Sequence, residues 1–285
     1  MANRVLKIVL IFIIIVLAFT CFDAYFFYNK TFVARLVERV VPIPVVYGND
    51  IYITFNEYND LYDFYKKNIY PNDPEIRKNS LDYVVNIKLM QKAISDFDIK
   101  IDGQKYKEFE QNFYNKTDIK KLVRDSRNFT KYVLEPAFIE STINFELSKD
   151  SFNQAKKEKM IGIYGELLKD PSLFDKYANE YVDKNMLFGE DQISWLPNKD
   201  LPENIQEEIL DMKINDFTGV KKSISGFHIY KLISKLEGSK GEEPYYKLQQ
   251  IFIPLMSFDE YSQNKISKSE VKYLLSNYAT ASVGE

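Results

Sequence analysis

Residues 188–236 constrain the fold more than any other stretch, because two hydrophobic periods follow each other there within one short span. Ile193-Ser194-Trp195-Leu196 is short, apolar and closed by Pro197, the pattern of a strand. Asp200-Leu201-Pro202-Glu203 has the spacing of a capping box, with proline near the first turn. Ile205, Ile209 and Met212 follow at i, i+4, i+7 and predict an amphipathic helix over 200–213. Glu203, Gln206, Glu207 and Asp211 fall mostly on the rest of its surface. Asn215 fits a left-handed helix stop. Phe217 to Lys222 predicts a short strand, and Gly226 a turn. Beyond it Phe227, Ile229, Lys231 and Ile233 alternate with His228, Tyr230, Leu232 and Ser234, as in a strand whose two faces differ.

Near the N-terminus an apolar run extends from Ile8 to Phe19. With its flanks, Val5 to Phe27 reaches the roughly 20 residues that a ~30 Å hydrocarbon core demands. Arg4 and Lys7 precede the run, which predicts a single-pass anchor in the cell membrane with a cytoplasmic N-terminus and an extracytoplasmic bulk. No Ala-x-Ala site follows, so the anchor is expected to stay uncleaved. Tyr25, Phe26, Phe27 and Tyr28 would form an interfacial belt.

The net charge of −3 and a pI near 5.5 argue against nucleic acid as the main partner. With a single cysteine, Cys21, and a single histidine, His228, the chain offers neither a disulfide framework nor a common zinc site. No Gly-rich phosphate loop or nucleophile elbow is visible. No metal or cofactor is therefore expected.

Between these regions the chain reads as helices. Val45 to Ile53 predicts strand, tight turn and strand around Gly48-Asn49-Asp50. Thr54-Phe55-Asn56-Glu57 is a capping box, with Tyr58, Leu61, Tyr62 and Tyr65 on one face behind it. A longer helix follows Pro74, with Leu81, Val84, Val85, Ile87, Leu89 and Ala93 apolar. Further helices are expected at 103–115, 118–127 and 130–148, the last kinked or divided by Pro136. Residues 152–170 form another helix, and Asp170-Pro171 ends it and starts the next, whose apolar face is Phe174, Tyr177, Ala178 and Tyr181.

The arrangement over 188–236 resembles the parvulin family of peptidyl-prolyl cis-trans isomerases. The matching residues are Ile193-Ser194-Trp195-Leu196, the 200–213 helix, Lys213-Ile214-Asn215-Asp216 and Gly226-Phe227-His228-Ile229. The family's Gly-Gly-Asp element is eroded here to Glu190-Asp191-Gln192. The family's first strand, with a His-Ile-Leu motif, belongs before Phe152, where no alternating run exists. Gln250-Ile251-Phe252-Ile253 has that pattern after the last strand. Since the family's first and last strands are antiparallel neighbours, residues 246–253 either complete the sheet in a circularly permuted order or form a linker strand to a lost repeat. The resemblance implies a proline pocket at Leu201 and Ile205, hydroxyls at Ser223 and Ser225, and the last family histidine at His228. The first family histidine falls at Gln250. The family's Cys/Asp position falls at Asp183 or, with one residue of register, Lys184.

Residues 43–148 resemble the N-terminal helical module of SurA-type chaperone-isomerases, through Val46-Tyr47-Gly48-Asn49-Asp50-Ile51 and the long helix Leu81 to Ile101. Such modules cradle unfolded chains. Together the resemblances imply an α+β protein in three parts: an anchor (1–30), a chaperone-like helical module (31–150) and a small antiparallel-sheet parvulin-like domain (151–285). The implied function is a membrane-anchored prolyl isomerase and chaperone for unfolded or nascent exported polypeptides, held to the membrane by residues 5–27. The alternative is a non-catalytic holdase or an envelope structural protein on the same scaffold.

Overall fold

The computed structural model describes residues 2–27, 37, 40–116, 126–181, 193–237, 243–269 and 271–275. In chain order the elements are α1 (Ala2–Phe27), β1 (Pro44–Tyr47), β2 (Tyr52–Thr54), α2 (Phe55–Asn68), α3 (Ile76–Asp96), α4 (Gly103–Lys116), α5 (Ser126–Phe129), a π-helical turn (Thr130–Leu134), α6 (Glu135–Leu147) and α7 (Asp150–Lys169). A 3₁₀ turn (Pro171–Leu173) leads to α8 (Phe174–Glu180), β3 (Ile193–Pro197), α9 (Glu203–Gln206), α10 (Glu208–Asp211), β4 (Lys221–Lys222), β5 (Gly226–Leu236), β6 (Tyr245–Pro254), α11 (Phe258–Lys268) and β7 (Lys272–Tyr273). Two compact units result: Met1–Ile143 with Phe258–Glu285, and Asn144–Ser257.

The expected membrane anchor is not upheld. Among the described residues, no helix is long and apolar enough to cross a membrane. The uninterrupted apolar run of α1 is Ile8 to Phe19, about 18 Å of helix at 1.5 Å per residue against the ~30 Å of a hydrocarbon core. Lys7 bounds it on one side. On the other, Thr20 and Asp23 are buried, and the Thr20 hydroxyl donates to the Val16 carbonyl at 2.7 Å. The transmembrane element of the fold and the single-pass localisation are corrected accordingly.

In the first unit, β1 and β2 form a hairpin with Tyr47 opposite Tyr52. The Thr54–Glu57 capping box closes as the spacing predicts: the Glu57 carboxylate accepts from Thr54 N–H at 2.9 Å, and the Thr54 hydroxyl accepts from Glu57 N–H at 3.3 Å. Tyr58, Leu61 and Tyr62 of α2 are buried, as are Leu81, Val84, Val85, Leu89 and Ala93 of α3. Asp98 takes φ 49° just beyond α3, where a glycine is the usual left-handed stop. The 130–148 helix is divided, since the π turn ends where α6 begins, one residue before Pro136. A π turn loosens the i→i−4 ladder where proline has no N–H to give. Residues 117–125, which hold most of the helix expected at 118–127, lie outside the described residues.

The end of the chain completes this unit. β7 pairs antiparallel with β1, Val46 opposite Tyr273, giving the sheet order β2-β1-β7. Tyr261 and Lys265 of α11 both reach Asp96, at 2.8 Å each, and Lys92 reaches it at 3.0 Å. Gly48 permits the approach, because a Cβ there would lie 2.8 Å from the Ser269 carbonyl oxygen.

The second unit is a four-stranded antiparallel sheet, β3-β6-β5-β4. β6 runs centrally, pairing with β5 from Tyr245–Leu236 to Pro254–Gly226, with an irregularity at Leu232/Ser234. Residues 246–253 are thus a strand of this sheet, in the permuted order. The alternation along β5 sends Phe227 and Ile229 to one face and Tyr230 and Leu232 to the other. Phe227, Ile229, Ile251 and Ile253 pack with Met160, Ile163 and Leu167 of α7 and Phe174 of α8. Tyr230, Leu232, Tyr246 and Leu248 pack with Leu196, Leu201, Ile205 and Ile209. The helix predicted over 200–213 is broken into α9 and α10, and the Asp200 box does not form. Pro202, with no side chain able to cap, stands at the N-cap. Asn215 adopts φ 75° as its left-handed stop. The strand expected over 217–222 is reduced to Lys221–Lys222 and a single bridge from Phe217 to Lys231.

Candidate active site

The site forms where one sheet face changes from apolar to polar. Along that face of β5, Leu232 and Tyr230 give way to His228. Along β6, Tyr246 and Leu248 give way to Gln250 and then Phe252. A strand places residues i and i+2 on one face, so His228 and Tyr230 stand side by side, as do Gln250 and Phe252. His228 is opposite Phe252, and Gln250 opposite Tyr230.

His228 and Gln250 are both buried. The imidazole stacks parallel to the Tyr230 ring at 5.3 Å and lies 4.8 Å from the Phe252 ring. Both of its nitrogens have polar neighbours: Nδ1 is 3.2 Å from Gln250 Oε1, and Nε2 is 2.8 Å from Ser223 Oγ. Since an amide oxygen only accepts, Nδ1 carries the proton and Nε2 accepts from the Ser223 hydroxyl. Ser223 Oγ lies 2.9 Å from Ser225 Oγ and accepts the backbone N–H groups of Ser225 and Gly226 at 3.1 and 3.2 Å. Ser225, Ser223, His228 and Gln250 therefore form one connected polar chain running from the exposed hairpin tip into the sheet.

Gly226 is required at this position. A Cβ on it would lie 2.3 Å from the Phe252 ring and 2.5 Å from the Ile253 carbonyl oxygen. The Gly-Phe-His-Ile element thus owes its glycine to the close approach of β5 and β6, and that approach seats Phe252 against His228. Thr218 supports the other flank. Its buried hydroxyl accepts from Tyr230 N–H at 3.1 Å, while its own N–H donates to the Tyr230 carbonyl at 2.8 Å.

Of the residues implied by the resemblance, Ser223, Ser225, His228 and Gln250 come together. Leu201 and Ile205 share an apolar cluster with Tyr230, which stacks on His228. Within it they are 3% and 0% exposed. Asp183 and Lys184 lie outside the described residues. The ends that flank them are set beside the site, since Tyr181 carbonyl accepts from Phe252 N–H at 3.2 Å and Ile193 is opposite Gln249. Sequence reasoning missed Tyr230 and Phe252 as the walls of the imidazole. Their signal was present, each standing two residues beyond a polar site residue on a strand.

The Ser223–His228 distance resembles that of a nucleophilic dyad, but the group on the other ring nitrogen is an amide where a Ser-His-Asp triad has a carboxylate. Gln250 is neutral and cannot stabilise an imidazolium as a carboxylate would. Nor, among the described residues, is any group of three His, Cys, Asp or Glu placed to hold a metal. What the arrangement offers is a fixed, largely dry set of dipoles.

Among known proteins, residues 143–234 match the family profile described as Rotamase: PPIC-type PPIASE domain. No curated protein and no solved structure matches the chain. The match ends within β5, so it includes His228 and both serines and leaves Gln250 outside. Residues 143–234, about a third of the chain, are thus similar to a PpiC-type PPIase domain, of the parvulin kind.

Proposed function

We propose that the second unit catalyses cis-trans isomerisation of X–Pro bonds in unfolded polypeptides. The uncatalysed barrier is about 18–20 kcal/mol and arises from amide resonance. A catalyst for it needs no nucleophile and no cofactor. It must bind the twisted amide better than the planar one. As the amide twists, its nitrogen becomes a better hydrogen-bond acceptor. A hydroxyl held in place by neighbouring dipoles can serve that change with little reorganisation. Ser225 is the exposed hydroxyl of this set; its single proton rests on Ser223 Oγ, and rotation about one bond turns it to the twisted nitrogen while Ser223, His228 and Gln250 stay fixed. The observation that carries this reading is His228 held on both ring nitrogens by Ser223 and Gln250, within a sheet whose segment matches the rotamase domain.

A holdase is the second reading, and one observation favours it: Leu201 and Ile205, which the family uses to grip the proline ring, are enclosed by their own core. The SurA-like role of residues 31–150 belongs with this reading. Their apolar stripes, Tyr58, Leu61, Leu81 and Leu89 among them, are buried in their own unit. Exchange NMR on a proline peptide separates the two readings. An isomerase produces cis-trans exchange cross-peaks on a timescale of a second or less, against tens to hundreds of seconds unaided. A holdase binds the peptide and leaves the exchange rate untouched.

A further inference from the structure

An open groove of about 450 Å³ adjoins the apolar cluster on the sheet face opposite His228, and all of its lining belongs to the second unit. Its floor is apolar: Tyr164 and Leu168 of α7, Met212 just past α10, and Phe217. The Tyr164 ring meets the Phe217 ring edge-on at 6.1 Å. Both rings pack on the cluster that holds Phe227, Ile229, Ile251 and Ile253. Leu168 stays 62% exposed, so the groove keeps apolar surface in water that its own unit does not cover.

The charge of the rim narrows what the groove can take. Glu208 and Asp211 of α10 and Asp216 of the turn beyond it line the groove, and no lysine or arginine does. Lys221 pairs with Glu208 from outside the lining. The Asp216 carboxylate accepts the Lys213 backbone N–H at 2.8 Å, which carries no full charge, so the rim keeps a negative excess. The carboxylates do not gather on one point: among the described residues no three such groups are placed to hold a metal. Nucleic acid and anionic headgroups would be repelled, and a second copy of the chain brings a net charge of −3. The complement of an apolar floor under an acidic rim is a segment with large apolar side chains beside lysine or arginine. The stems of those cations would cover the floor while their heads meet the carboxylates.

We infer that this groove docks a partner polypeptide through a segment in which large apolar side chains stand beside lysine or arginine. It shares no residue with the Ser223–His228–Gln250 network, so docking there leaves the network free. The inference stands whether the unit isomerises X–Pro bonds or only binds chains.

The test titrates the full chain calorimetrically with two proline-free peptides of leucine and alanine, one carrying lysines and the other glutamates at the same positions. The wild type is expected to bind the lysine peptide about tenfold more tightly, because the exchange turns attraction at the rim into repulsion. In about 1 M salt most of that preference is expected to vanish. Asp211→Asn combined with Asp216→Asn is expected to reduce the ratio to about twofold or less. Leu168→Ser is expected to weaken the lysine peptide by about fivefold. All three positions are exposed, so the variants keep the fold, which their melting curves verify. Equal binding of the two peptides overturns the docking site, as does a preference that the aspartate variant leaves unchanged or an affinity that Leu168→Ser leaves unchanged. Displacement of the lysine peptide by a proline peptide would place it at the polar network and overturn the site too. Binding to anionic vesicles, or self-association in sedimentation, that these variants abolish would give the groove another occupant and equally overturn the inference.

Discussion

The two units are completed by the same device, and they differ in what holds it. Each receives a strand from late in the chain: β6 enters the second unit's sheet, and β7 with α11 enters the first. β6 is long, central and almost wholly buried. β7 has two residues at a sheet edge. Its helix α11 buries Phe258 and Tyr261 and adds a polar clasp, with Tyr261, Lys265 and Lys92 gathered on Asp96. An apolar central strand is secured by burial, which no titration switches off and charge screening does not weaken. A polar clasp is secured by charge, which is sensitive to both. The comparison also places the candidate site. Gln250 rides on β6, so the polar network exists only after the late strand has docked.

The largest expected effect comes from ending the chain at Glu237, which removes β6 from the second unit and α11 and β7 from the first. Without β6 both sheet faces lose half their apolar lining, and β3 loses its partner. Melting followed by near-ultraviolet circular dichroism is expected to show no cooperative transition for the second unit. A sharp transition in that variant would mean that β6 is dispensable and that Gln250 does not belong to the site.

A smaller loss is expected from Asn153→Ala. Asn153 is buried, and its amide donates to the Leu147 and Lys149 carbonyls at 2.7 and 2.9 Å. Its oxygen accepts from Met256 N–H at 2.7 Å. One side chain thus ties the entry of α7 to the exit of β6. Removing it leaves buried backbone groups unsatisfied and is expected to cost about 2–4 kcal/mol in denaturant titration. A cost within the range of a surface substitution, below about 0.5 kcal/mol, would show that β6 is held by burial alone.

The smallest effect concerns the polar clasp of the first unit. Burial raises the Asp96 carboxyl, but hydrogen bonds from Lys265, Tyr261 and Lys92 outweigh it and hold the group at about 2. An aspartate is ordinarily near 3.9. A depressed carboxylate stabilises the fold above its unfolded value and ceases to do so as pH falls through the folded one. The first unit is therefore expected to lose stability between about pH 4 and pH 2, by about 1 kcal/mol or less because the cluster is partly solvated. Asp96→Asn is expected to be less stable at neutral pH and to flatten that slope. An unchanged slope in this variant would place the acid sensitivity elsewhere.

Much of this was legible in the sequence where a short-range rule decides the outcome. The Thr54–Glu57 box, the Asn215 stop and the alternation of β5 each depend on residues within a few positions of one another. The docking of β6 could be posed as one of two alternatives, because Gln250-Ile251-Phe252-Ile253 has a strand pattern and a family counterpart. Three features escaped for physical reasons. Asp200 could not cap α9 because Pro202 takes the N-cap itself. The joining of α11 and β7 to residues far earlier in the chain leaves almost no local trace, since a two-residue strand has no period. The N-terminal apolar run suggested a span only when its flanks were counted, and Lys7, Thr20 and Asp23 interrupt them. At the site, the polar partners were readable, and each enclosing ring stood two residues beyond one of them, but which ring faces which polar group depends on strand register.

The central claim is that the Ser223–His228–Gln250 network serves X–Pro isomerisation. Exchange NMR on one proline peptide, with the wild type and His228→Ala compared at equal peptide saturation, tests it most directly. The account predicts measurable exchange in the wild type and a loss of about 10²-fold in the variant, of the order seen when a preorganised hydrogen-bond donor is removed, with peptide affinity retained. No exchange in the wild type, or equal exchange in both proteins, would contradict it.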